Sequence, residues 1–156
     1  MKKEYVFLFS FLTILILSSC SSKIIVYDVN DSAINDYLSS FYMGELGTLP
    51  LSCRIDSVKS IEDSVLISGY TYDEQTGEKF PSDIWLGNFI EKIYPNGYKT
   101  EWPQNRIKLG STLDDGKFTI KFKLQKDDVI FFHQISYYPA VFKIYEFINS
   151  QNKITH

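Results

Sequence analysis

The chain has 156 residues, with 16 basic and 19 acidic side chains and a formal net charge of −3. That length supports one domain with a proper core and is too short for two large ones. The mild acidity is spread along the chain and forms no basic stripe, which argues against a nucleic-acid partner.

Lys2 and Lys3 precede Tyr5 to Leu17, an apolar run broken only by Ser10 and Thr13. A positive end, about a dozen apolar residues and small residues after them describe a secretory signal peptide. The run falls short of the roughly 20 apolar residues that a spanning helix needs. It ends in Leu17-Ser18-Ser19-Cys20, where an aliphatic residue and two small ones precede a cysteine. This tetrad resembles the lipobox of bacterial lipoproteins. The resemblance implies removal of residues 1–19, a diacylglyceryl group on the Cys20 thiol and a further acyl chain, such as palmitate, on its amine. A single chain holds a protein on a bilayer only marginally, at about 0.8 kcal/mol per buried methylene, whereas two or three hold it firmly. Ser21 and Ser22 stand where aspartate would signal inner-membrane retention, so the same resemblance favours the outer membrane, with the protein facing the periplasm.

Without Lys2, Lys3 and Glu4 the balance is 14 basic against 18 acidic residues, over about 137 residues. With Cys20 committed to lipid, Cys53 has no disulfide partner. It lies in the alternating segment Leu51-Ser52-Cys53-Arg54-Ile55, which predicts a buried, inert thiol.

Residues 20–50 read as the acylated N-terminus, a tether and one short helix. Ile24 to Val29 is a short apolar strand or tether. From Ser32 to Met43, Ile34, Tyr37, Leu38, Phe41 and Tyr42 recur at helical spacing, with Asp31 or Ser32 to cap the start and Gly44 to end it. The polar positions carry no Lys or Arg, so this amphipathic helix is expected to pack on the domain instead of lying on a bilayer.

Residues 51–148 are β in pattern. Leu51 to Lys59 and Ser64 to Tyr72 flank Glu62-Asp63. Asp83 to Asn88 follows Pro81. Ile90 to Tyr94 and Tyr98 to Trp102 flank Pro95-Asn96-Gly97, and Arg106 to Leu113 and Lys117 to Leu124 flank Asp114-Asp115-Gly116. Both turns are strong hairpin signals. Val129 to Ser136 and Ala140 to Phe147 complete the set, and residues 149–156 read as a frayed polar tail. Short strands at even spacing predict a mainly β fold, a seven- to eight-stranded antiparallel β-sandwich preceded by the one short helix.

Ile67-Ser68-Gly69, Asp73, Thr76-Gly77-Glu78 and Pro81, followed by Thr112 to Phe118 and a tyrosine-containing strand end at Tyr138, carry a second likeness. Together they resemble the carboxypeptidase regulatory-like (transthyretin-like) β-sandwich, a variant of the immunoglobulin-like architecture, over roughly residues 64–147. Gly69 is expected to permit close packing or a bulge, and Gly77 and Gly116 to supply turn conformations. Phe118, Ile120 and Phe122 should face the space between sheets, as should Val129, Phe131 and Ile135.

The chemistry available is sparse. No His-x-x-Glu occurs, and the resemblance is to an accessory domain without the catalytic domain it sometimes accompanies. His133, flanked by Phe131, Phe132 and Ile135, reads as a packing residue and not as a general base. Asp73, Glu74, Glu78, Asp114 and Asp115 are turn formers before they are calcium ligands, so no cofactor or metal is expected. Tyr94, Tyr98 and Trp102 cluster around an exposed turn and are the candidate binding residues. The sequence thus points to a non-enzymatic envelope lipoprotein that binds or assembles with another envelope protein. The alternative is a glycan-binding lipoprotein using the aromatic hairpin, and a third reading is a hydrolase centred on His133.

Overall fold

A computed structural model describes residues 23–40, 49–97 and 99–154. Two sheets pack face to face, as the alternation predicts. The first contains β1 (Ile24–Tyr27), β3 (Leu49–Ile61), β4 (Ser64–Asp73) and β7 (Lys117–Phe122) in the order β1-β3-β4-β7, with β9 (Tyr137–Tyr138) pairing in parallel with the start of β3. The second contains β2 (Leu38–Ser40), β5 (Asp83–Ile93), β6 (Lys99–Ser111), β8 (Val129–His133) and β10 (Ala140–Phe142) in the order β2-β10-β8-β5-β6. Apart from β9, the described strands pair antiparallel.

The local rules explain the turns. Glu62, at φ 56°, closes the β3–β4 hairpin, and Gly77 and Gly116 sit at φ +73° and +75°. The Asp114-Asp115-Gly116 turn, expected to close a hairpin, instead carries the chain from β6 in the second sheet to β7 in the first. Gly69 marks a close approach: a Cβ there would lie 2.0 Å from the Arg54 carbonyl oxygen, beside the bulge between Ile55 and Ser57. Between the sheets, Phe118 packs on Phe132 with ring centroids 4.9 Å apart, and Leu51, Ile67, Ile84 and Ile130 are fully buried. Thr71, Ser82 and Thr112 are buried polar residues that satisfy one another: the Ser82 hydroxyl donates to Thr71 Oγ1, and the Ser82 amide to Thr112 Oγ1.

Four further expectations are corrected. The helix predicted over Ser32–Met43 is only α1 (Asp31–Ile34), capped by Asn30, with a 3-10 turn at Asn35–Tyr37; the chain then becomes β2. Pairing of β2 with β10 outweighs the helical periodicity there, and Phe41 and Tyr42 lie outside the described residues. The strand predicted over Ala140–Phe147 stops at Phe142, and the tail expected to fray belongs to helix α2 (Ile144–Ile154). Ile144, Phe147 and Ile148 lie on one buried face of α2, with Phe147 against Tyr27, Tyr37 and Phe142. At about 1.5–3 kcal/mol per buried large side chain, these three hold the helix on the sandwich.

The other two corrections concern β8 and the middle strands. Ile130 and Phe132 fill the inter-sheet space, while Val129 and Phe131 face the opposite side, where Val141, Trp85 and Phe89 form a second small cluster. Ile135 is 82% exposed and His133 is exposed, neither packing in the core. Finally, the four short strands read between Asp83 and Leu113 are two long ones, β5 and β6, paired with each other along their length through bulges at Ile84/Trp85 and Leu86/Gly87. These mergers and β1, β2 and β9 bring the described strands to ten.

Candidate functional site

The feature that exceeds what the core requires is the far half of β5 and β6. β8 covers β5 only from Asp83 to Gly87, but β5 and β6 stay paired from Asn88/Gln104 to Ile93/Lys99. Six residues of β5 thus run on as a two-stranded ribbon, about 20 Å long at 3.3 Å per residue. Its turn is closed by the Gly97 amide donating to the Tyr94 carbonyl at 2.9 Å, with Gly97 at φ +79°.

The ribbon is fastened at its base. Phe89 meets Phe131 edge-on at 5.5 Å. A Cβ on Gly87 would lie 2.2 Å from the Gln104 carbonyl oxygen, so only glycine allows the strands to close there. Arg106 pairs with the fully buried Asp128 carboxylate and donates to Gln125 Oε1 at 2.6 Å. Asp128 also accepts the Gln125 amide at 2.6 Å. Beyond that latch Ile90 is 39% and Ile93 61% exposed.

Of the three residues singled out from sequence, Tyr94 closes β5 at the tip and is half-buried, with the Lys92 ammonium 5.3 Å from its ring centre. Trp102 lies in β6 in register with Ile90. Tyr98 lies outside the described residues, as does Cys20. Sequence reasoning missed Ile90 and Ile93, which it read as ordinary strand residues; the absence of any third strand pattern to cover them was the available signal.

A groove of about 470 Å³ lies elsewhere, between Ile34 and Leu38 on one side and Arg54, Tyr70, Tyr72 and Glu74 on the other. Cys53 lines it, buried, and burial pushes its thiol up to about 12, so it stays protonated and unreactive near neutral pH. Burial likewise raises the Tyr72 hydroxyl.

The acidic turns are engaged internally. Asp73 accepts the amides of Thr76 and Gln75 and the Tyr137 hydroxyl, and the Thr76 amide leads in holding its carboxyl below the usual range. Asp115 pairs with Lys117. Across β6, β5 and β8, Ser111, Asp83 and His133 share one row, and the Ser111 hydroxyl donates to Asp83 at 2.7 Å. The acid therefore stands between hydroxyl and imidazole, two strand spacings or about 10 Å apart, whereas base activation of a nucleophile needs the imidazole in the middle.

No family model, curated protein or solved structure matches the chain.

Proposed function

We propose that this protein is a lipid-anchored lipoprotein of the bacterial cell envelope, without catalytic activity, whose sandwich serves as a binding or assembly module for another envelope protein. The observation that carries it is the tetrad Leu17-Ser18-Ser19-Cys20 after an apolar run, with the first strand of the sandwich starting four residues later at Ile24. Acylated Cys20 becomes the first residue of the mature chain and holds the domain close to a membrane, the outer one by the Ser21-Ser22 pair, on its periplasmic side.

The sandwich is proposed to be of the carboxypeptidase regulatory-like kind. What supports this reading is local: a Cβ on Gly69 would meet the Arg54 carbonyl, Asp73 accepts the Gln75 and Thr76 amides in the turn containing Gly77, and Gly116, at φ +75°, stands just before β7. The inert Cys53 thiol and the Ser111-Asp83-His133 order favour a binding role over the hydrolase reading.

Intact-mass analysis of the protein extracted from membranes tests the anchor. A mass gain of two or three acyl chains on a chain beginning at Cys20 is expected, lost in Cys20→Ser. An unmodified Cys20 overturns it. Cross-linking in whole envelopes followed by affinity capture tests the module, and a chain that cross-links to no envelope protein counts against it.

A further inference from the structure

We infer that the β5–β6 ribbon is a second membrane contact, its tip resting in the headgroup layer of the bilayer that holds Cys20. The inference rests on the anchor proposed above and adds where the domain touches the membrane.

The register locates the ribbon and the chain's point of entry at one end of the sandwich. Phe118 stacks on Phe132; Phe118 is opposite Gly69 of β4, and Phe132 opposite Ile84 of β5. From that shared row β4 runs back five residues to Ser64, which faces Ile61, which in turn faces Ile24. From the same row β5 runs nine residues to Ile93. Both lead the same way: β5 starts beside Thr71, through the Ser82–Thr71 hydrogen bond, and reaches Val129 at the end where Lys123 pairs with Asp63 of the β3–β4 turn. The ribbon therefore ends four residues, about 13 Å, beyond Ile24.

That projection nearly matches the tether. Cys20 precedes Ile24 by four residues, which span about 14 Å at most when fully extended. Any bend in the tether brings the ribbon tip level with the acylated sulfur, and the headgroup layer adds roughly 5–8 Å of depth on each side of the hydrocarbon. Ribbon and β1 lie at opposite lateral edges of their sheets, so the two contacts are separated and together limit tilting.

The ribbon's chemistry suits that layer. Ile90 and Ile93 are exposed, and Tyr94 carries the Lys92 ammonium near its ring. Aromatic rings with apolar bodies and polar edges, flanked by lysines, concentrate at membrane interfaces. Glu91 and Glu101 offset Lys92 and Lys99, so attraction to anionic lipid is not the drive and zwitterionic vesicles suffice. Ile24 and Val26, exposed at the same end, add apolar surface beside the tether.

The test uses acylated protein in phosphatidylcholine vesicles, with an environment-sensitive fluorophore on Ile93→Cys; Cys53 is buried and does not compete. The comparison probe is Ile135→Cys, 82% exposed and at the opposite end of the sandwich. At Ile93 the expected result is a blue-shifted emission, quenched at least twofold by nitroxide-bearing lipid, with no change at Ile135. Flotation with the vesicles and intact mass are measured on the same samples. A protein that floats with acyl chains in place while both probes remain unquenched overturns the ribbon contact and leaves the anchor standing. Ribbon residues covered by a partner protein in place of lipid give that same overturning result. A protein that neither floats nor carries acyl chains overturns the anchor and the inference with it.

Discussion

Replacing Arg106 with methionine should destabilise the whole domain. The guanidinium pairs with Asp128, whose side chain is 0% exposed, while its own is 28% exposed. Removing one partner of a buried pair costs about 3–5 kcal/mol because the remaining charge is left uncompensated. Asp128 keeps the Gln125 amide at 2.6 Å, and the arginine side is partly wet, so the lower end applies, about 3 kcal/mol. That is about a 150-fold shift in the folding equilibrium, and at a slope of about 1.5 kcal/mol per molar urea it lowers the unfolding midpoint by about 2 M. The double variant Arg106→Met/Asp128→Asn removes the stranded charge and retains an acceptor for the Gln125 amide, so it should recover at least 1 kcal/mol. Urea melts followed by tryptophan fluorescence, with unchanged slope, measure both. A single variant within about 0.5 kcal/mol of the parent, or a double variant that recovers nothing, refutes the claim that this pair secures the ribbon's base.

Three further outcomes follow from separate parts of the fold. Gly69→Ala should cost at least about 2 kcal/mol in the same melts, since its Cβ would meet backbone at 2.0 Å, whereas Gly77→Ala, with open space around it, should cost only the backbone strain of about 1–2 kcal/mol. Cys53 should resist maleimide at pH 8 until denaturant is added. Its raised folded pKa contributes stability that is complete below the unfolded value near 8.5–9 and lost as pH climbs towards about 12, so alkaline melts of Cys53→Ala should fall less steeply there. Asp73 has the opposite sign: its depressed carboxyl stabilises above the unfolded value near 3.9 and ceases to as pH drops through the folded one, so Asp73→Asn should flatten the acid limb of a stability–pH profile below about pH 4.

What was legible in the sequence was local. The Glu62-Asp63, Gly77 and Asn96-Gly97 turns could be placed because turn chemistry acts within four residues. Asp115-Gly116 is also a turn, but whether it closes a hairpin or crosses between sheets, as it does, is not a local matter. Alternation at Phe118, Ile120 and Phe122 gave the face of β7. The Val129–Phe132 run is apolar throughout, so alternation fits either face equally; Val129 and Phe131 are expected on the inter-sheet side, but Trp85 and Phe89 cover them on the other. Ile144, Phe147 and Ile148 do follow helical spacing, but they come directly after the apolar Ala140–Phe142, and the two patterns merge when read in one pass. Asn88, Pro103 and Asn105 look like strand breakers, yet β5 and β6 continue through them because each strand is the other's partner. Turn and aromatic content alone point to Tyr94, Tyr98 and Trp102; that the ribbon leaves the sandwich at the end where Ile24 lies depends on long-range register, which no window of sequence contains.

The ribbon is the continuation of two core strands and not a loop set upon them, and this decides how its tip can work. A lone two-stranded hairpin is marginally stable in water. This one inherits its order from Ile84 and Leu86, both buried in the main core, through a base closed by Gly87, Phe89 and the Arg106–Asp128 pair. A tip held in this way presents Ile93 and Tyr94 at a set distance from Ile24, without spending conformational entropy at the moment of contact. Stability and placement are consequently coupled at the base and separable at the tip. A change at Arg106 or Gly87 disturbs both the fold and the reach of the ribbon, whereas one at Ile93, already 61% exposed, alters only what the ribbon touches.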